Sequence, residues 1–145
     1  MLNIRVVQSA TELEDAYHVR RDVFVMEQKV PESIEIDDHD RTAIHFVGYA
    51  DQRPVSAGRM RFVDNYAKLE RVSVMKPFRG HGYGKQLILE MEKIAKEKGY
   101  TQTKLNAQDH AEEFYRNLGY HTISKEPFMD AGIPHVTMIK DLTKG

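Results

Sequence analysis

Apolar and polar positions along the chain fall into blocks whose period changes, and the blocks predict the elements. Residues 4–7 are a short strand candidate. Ser9-Ala10-Thr11-Glu12 is a capping-box pattern, and Thr11-Glu12-Leu13-Glu14 offers the same start two residues on. Leu13, Ala16, Tyr17, Arg20, Val23 and Phe24 then recur at helical spacing, which predicts a helix over 11–27. Arg20 is the charged member of this stripe, and an arginine stem can lie along apolar surface. Residues 28–42 read as a solvated loop holding Pro31 and an acidic cluster of Glu32, Glu35, Asp37, Asp38 and Asp40. Strand-like runs follow at 44–50, 55–63 and 67–75. Their connections, Asp51-Gln52-Arg53-Pro54 and Asp64-Asn65-Tyr66, are short and rich in turn formers, which favours an antiparallel meander.

The period then lengthens. Leu87, Ile88, Met91, Ile94, Ala95 and Lys98 mark one face of a helix that Gly99 stops. Residues 103–107 form a short strand, and Ala111, Phe114, Tyr115 and Leu118 mark a second short helix before Gly119. Residues 120–124 and 136–139 are the last strands, joined through Asp130-Ala131-Gly132. A helix between the fourth and fifth strands implies a crossover. The expectation is one α/β domain over residues 1–145, with a mixed, mostly antiparallel sheet of six to seven strands, flanking helices and one parallel pair.

Composition narrows the function classes. The 145 residues include no Cys, which excludes a disulfide framework, a cysteine nucleophile and a thiolate metal site, and fits a cytoplasmic location. The longest apolar run, residues 23–26, is too short for a membrane span or a signal-peptide core. Lys plus Arg number 21 against 22 for Asp plus Glu, so no general attraction to nucleic acid or to an anionic membrane is expected. Any anion site must be local.

Such a site is visible in residues 69–85, where an apolar strand runs into three glycines at alternate positions and then into a helix. Glycine lets the chain curl so that several N–H groups face one anion, and a helix start adds unpaired donors and a positive dipole end. Arg79 and Lys85 add local cations. The P-loop pattern G-x-x-x-x-G-K-S/T fails, because Gln86 follows Gly84-Lys85 and Arg79 takes the upstream glycine position. The dinucleotide pattern G-x-G-x-x-G fails because its third glycine would fall on Lys85. A glycine-rich turn that merely links strand to helix is the structural alternative.

Arg79-Gly80-His81-Gly82-Tyr83-Gly84 resembles the R/Q-x-x-G-x-G/A signature of the GNAT superfamily of acyl-CoA N-acyltransferases. The resemblance continues through Leu105-Asn106-Ala107-Gln108 and through residues 111–120, which are similar to the family's F-Y-x-x-x-G-F/Y segment. Residues 23–28 with Pro31-Glu32, and Gly132-Ile133-Pro134-His135, resemble the small bacterial group called YjcF/ElaA-like. The resemblance implies a GNAT-like domain with a splayed parallel strand pair at the acyl-CoA site. It implies transfer of an acetyl group from acetyl-CoA, as co-substrate, to a primary amine of an unknown small molecule or peptide, with no metal.

By the same resemblance, Arg79, Gly80, His81, Gly82, Tyr83, Gly84 and Lys85 would hold the diphosphate of coenzyme A. Val72, Ser73 and Val74 would pair with the pantetheine arm, and Asn106 would hydrogen-bond it. Tyr115 matches the tyrosine that protonates the departing thiolate, although its place on an apolar stripe also suits a core residue. Glu70 is the candidate base: alternation puts it on the face of Val72, among apolar neighbours that would raise its pKa. A strand charge paired with Arg71 or Arg59, and an ordered-water proton route, are the alternatives. The acidic loop would border the acceptor, so Glu27, Glu35 and Asp37 are the candidates for favouring a cationic amine. A metal held by His39 among Asp37, Asp38 and Asp40 is disfavoured, because adjacent residues cannot all face one ion. An acyl-CoA-binding sensor with little catalysis is the rival reading, a mononucleotide-binding domain the third, and a homodimer through an edge strand stays open.

Overall fold

In the computed structural model, which describes residues 2–144, the stripe expected as one helix folds in two pieces. An α-helix, α1 (Ala10–Arg20), runs on into a π-helical segment, Arg21–Glu27. The earlier of the two capping patterns is the one used: Ser9 Oγ accepts from the Glu12 N–H at 3.1 Å, and Glu12 Oε1 accepts from the Gln8 N–H at 2.7 Å. The wider turn appears where the Gln28 N–H reaches back five residues to the Val23 carbonyl, at 3.0 Å. Each such turn holds an extra residue, so a 3.6-residue stripe loses its register beyond Arg20.

Residues up to Arg61, with Glu70–Met91, form one compact unit. In it β1 (Leu2–Val6) pairs antiparallel with β2 (Ile44–Ala50), which pairs antiparallel with β3 (Arg53–Val63). Asp51 and Gln52, at φ 51° and 68°, make the two-residue turn between β2 and β3. Positive φ at both positions is the type I′ geometry, whose twist matches that of the strands it joins. Ala16 and Val19 of α1 pack on Val47 and Ala57 of the sheet, with Val7, Tyr49 and Met75 around them. Two short helical turns break the expected loop: α2 (Glu32–Glu35) and a 3₁₀ turn over Asp38–Arg41.

Phe62–Leu69 and the chain from Glu92 onward form the second unit. Here β4 (Tyr66–Val74) pairs parallel with β5 (Gln102–Gln108) through Ala67, Leu69 and their partners Thr103 and Leu105, and this ladder ends at Leu69. The other edge of β5 pairs antiparallel with β8 (Ile133–Asp141) along its whole length. Two short strands, β6 (His121–Thr122) and β7 (Phe128–Asp130), add antiparallel to β8. The full strand order is β1-β2-β3-β4-β5-β8-β6, with β7 on β8, a mixed GNAT-like sheet of eight strands. The additional strand is β7. Its turn, Asp130-Ala131-Gly132, was visible in the sequence, but an arm of three residues is too short to show a period.

Helix α3 (Tyr83–Glu97) buries Leu87, Ile88, Met91 and Ala95 completely, as its stripe predicts. The second short helix, α4 (Glu112–Arg116), follows a 3₁₀ turn over Asp109–Ala111.

Candidate functional site

The chain leaves β4, makes a 3₁₀ turn over Lys76–Phe78 and enters α3 through the glycine loop. Gly80 and Gly82 sit at φ 85° and 78°. A Cβ built on either would meet nothing within 4 Å, so glycine is needed there for the angle and not for space. The first main-chain bond of α3 runs from the Gln86 N–H to the Gly82 carbonyl at 3.1 Å. Before it, the N–H groups of residues 80–85 meet no acceptor among the described residues. A curled loop and the positive end of a 15-residue helix thus present one run of unpaired donors. His81 and Lys85 are exposed beside it.

Arg79 fixes the start of the loop. Its Nε donates to the Val74 carbonyl at 2.8 Å, and its two terminal nitrogens donate to the two oxygens of Glu27 at 2.8 and 2.7 Å. The Arg79 hydrogen bonds hold the Glu27 carboxyl below its ordinary range, and Glu27 in turn holds the Arg79 guanidinium above its own. In β4, Ser73 is buried, and its Oγ donates to the Ala57 carbonyl at 3.3 Å; Val72 and Val74 are half-buried. Because the ladder to β5 ends at Leu69, residues 72–74 lie beyond it. Arg71, at φ 56°, interrupts the extended chain, so alternation cannot carry the face of Glu70 across to Val72.

The acidic loop is solvated only in part: Glu32 and Asp38 are exposed, while the other acidic residues turn inward. Glu35 and Asp40 are 1% and 6% exposed, and Arg20, expected to snorkel, is 0% exposed. Arg20 pairs with Glu35 at 3.0 Å and with Asp40 at 2.7 Å. Arg59 pairs with Asp37 at 2.7 Å, Asp40 at 3.0 Å and Glu70 at 2.9 Å. Arg61 joins Glu70 at 2.8 Å, and Arg71 reaches Glu35 at 3.1 Å and Asp37 at 3.4 Å. Four arginines thus face four carboxylates. The apolar surroundings expected for Glu70 are replaced by two guanidiniums, which removes the desolvation argument for a base. Glu35 and Asp37 likewise spend their charge on internal arginines; Asp37 Oδ1 also accepts from the His39 main-chain N–H at 3.0 Å, and Asp40 binds Arg20. The sequence carried one sign of this network: an arginine on an apolar stripe upstream of an acidic run needs a buried partner.

The network makes stability pH-dependent. Burial pushes the Asp40 carboxyl up, but hydrogen bonds and charge from Arg20, the Asp37 N–H and Arg59 outweigh it and hold it well below the carboxylate range. Asp37, also raised by burial, is held low by Arg59 and Arg71. Burial lowers His45, whose Nε2 lies 2.8 Å from the Asp40 carbonyl. All three folded values are depressed, so each group stabilises the fold above its unfolded value and loses that contribution as the pH falls. The urea midpoint is expected to decline gently below about pH 6.5, as unfolded His45 takes a proton, and steeply below about pH 4, as the aspartates do. An equal midpoint at pH 7 and pH 3.5 would contradict this.

In the second unit Asn106 pairs in register with Thr137, whose Oγ1 donates to Asn106 Oδ1 at 2.9 Å. Tyr115 is 9% exposed, with Phe114 and Tyr120 edge-on to its ring at 5.0 and 5.8 Å. Burial pushes its hydroxyl above the ordinary tyrosine value. Tyr120, by contrast, is pinned: its hydroxyl donates to Glu92 Oε2 at 2.9 Å and lies 2.9 Å from Thr103 Oγ1. His135 stacks on Phe128, and exposed His110 bonds to Gln108.

The Acetyltransferase (GNAT) domain matches residues 8–142, which makes the class that of an acyltransferase. The chain belongs to the GNAT acetyltransferase family. Its particular relatives bear out the resemblance to the YjcF/ElaA-like group. The chain is 43% identical to Bacillus subtilis YjcF, an uncharacterized N-acetyltransferase, over 94% of this chain and 97% of YjcF. It is 42% identical to the uncharacterized protein YyaT of the same organism, over 99% and 98%. The crystal structure of Escherichia coli ElaA matches with a TM-score of 0.87 at 25% identity, over 97% of this chain and 100% of ElaA. Among the described residues, no helix is long and apolar enough to cross a membrane.

Proposed function

We propose that the protein transfers an acetyl group from acetyl-CoA to a primary amine of a small molecule or peptide, in the cytoplasm. The observation that carries this reading is the run of unpaired N–H donors over residues 80–85 at the start of α3, which suits a diphosphate in a chain of net charge −1. Val72, Ser73 and Val74 take the pantetheine arm along β4, with Asn106 as a further polar contact.

The amine nitrogen attacks the thioester carbonyl and forms the C–N bond. A main-chain N–H near Val74 steadies the oxyanion. Collapse breaks the C–S bond, the thiolate takes its proton from Tyr115, and coenzyme A leaves as the thiol. Burial keeps the Tyr115 hydroxyl protonated before the transfer but makes it a weaker acid, and the tyrosinate left behind takes its proton back from water. The amine proton passes to water, since both oxygens of Glu70 are held by arginines. Of the acidic trio, Glu27 lies beside the donor loop through Arg79, while Glu35 and Asp37 hold the acceptor-side segment in shape.

Incubation with acetyl-CoA and an amine panel is expected to release coenzyme A thiol and to add one acetyl group to an acceptor, read by mass spectrometry. Coenzyme A binding without acceptor-dependent thiol release would favour a sensor. Tyr115→Phe is expected to lower kcat by about a hundredfold and to leave the Kd for coenzyme A unchanged. An unchanged kcat returns Tyr115 to the core.

A further inference from the structure

We propose that Arg79 and Glu27 form a positioning strut, and that Glu27, although a carboxylate, strengthens the binding of an anion. The proposal rests on the diphosphate reading of the glycine loop. In that reading Arg79 is most simply a cation offered to the phosphates. Its contacts say otherwise. Three of its five N–H groups are already engaged within the chain, one on the Val74 carbonyl and two on Glu27, so its fork is committed to Glu27. The guanidinium therefore joins three separate segments: the end of β4, the residue that opens the loop, and the last residue of the π-helical segment.

The loop needs such a brace. A side chain at Gly80 or Gly82 would touch nothing within 4 Å, so packing does not set the path of the chain there. Arg79 itself is extended, at φ −74° and ψ 156°, and Gly80 turns at once to φ 85°. The position of Arg79 therefore sets the direction in which the next N–H groups point. A forked, two-oxygen pairing fixes orientation as well as distance, which a lysine ammonium cannot do. The bridge also neutralises both partners, so the net attraction for a diphosphate comes from the main chain and from exposed Lys85.

Two accounts of Glu27 predict opposite signs. If Glu27 acts only as a nearby negative charge, Glu27→Gln removes a repulsion and tightens binding. If it is a strut, the same change loosens the fork and weakens binding. Isothermal titration with coenzyme A is the measurement, on the intact chain and on Glu27→Gln, Arg79→Lys and the double variant, each checked for an unchanged unfolding midpoint. The strut predicts that Glu27→Gln raises the Kd about fivefold, the upper range for a half-exposed pair. It predicts that Arg79→Lys, which keeps the charge, is not rescued, and that the double variant is no weaker than Arg79→Lys alone. A Kd for Glu27→Gln equal to or below that of the unaltered protein would overturn the strut while leaving the diphosphate reading standing. Failure of the unaltered protein to bind coenzyme A would overturn both.

Discussion

Gly82→Glu is expected to weaken coenzyme A binding by more than about a hundredfold. Two effects combine. Gly82 sits at φ 78°, where any other residue pays the left-handed penalty of about 1–2 kcal/mol. The carboxylate would also enter a ring of N–H donors meant for an anion, and like charges brought together at a binding site cost several kcal/mol. At about 1.4 kcal/mol per tenfold, the sum exceeds two decades. Gly82→Ala carries the strain alone and should cost about tenfold or less. Gly132→Glu is the matched control: its φ of 77° is the same and its surroundings are equally open, but it lies in the turn before β8. It should keep its affinity. Titration calorimetry decides, and Gly82→Glu binding as tightly as the unaltered protein would place the diphosphate elsewhere.

The largest effect on stability is expected from Arg20→Ala, at about 3–5 kcal/mol. Arg20 is fully buried and binds Glu35 and Asp40, which are nearly so. Its removal leaves two buried carboxylates with one arginine each, Arg71 for Glu35 and Arg59 for Asp40, and takes four hydrogen bonds with it, while Glu35 Oε1 already has no hydrogen-bond partner. A small domain has only about 5–15 kcal/mol in total, so the variant stands near the limit of folding. Arg61→Ala should cost far less, because Arg61 is partly exposed and Glu70 keeps Arg59. Urea unfolding at pH 7 separates the two. Equal losses would mean that the network does not share its charge as the distances indicate.

The sheet and the glycine loop were legible in the sequence because each leaves a local signal. Strand-like runs between short turns marked β2, β3 and β4, and a stripe marked α3, whose Leu87, Ile88, Met91, Ile94 and Ala95 are buried or half-buried. Gly80 and Gly82 announced a left-handed turn before a helix, and they make one. What the sequence hid is non-local. The π-helical turns after Arg20 leave composition unchanged while shifting every later side chain. The acidic loop looked solvated because its partners, Arg59, Arg61 and Arg71, lie on strands far along the chain. Charges of opposite sign at such separation show no period, yet they determine where Glu35, Asp37 and Glu70 point. Arg79 looked like a ligand for phosphate for the same reason: its partner Glu27 stands 52 residues away.

Amide chemical shifts give the most direct test of the central claim. With the protein labelled with nitrogen-15 and titrated with coenzyme A, the N–H resonances of residues 80–85 are expected to move farthest, downfield as they take up phosphate oxygens. Coenzyme A binding that leaves those resonances in place, with the large shifts on another surface, would contradict the account.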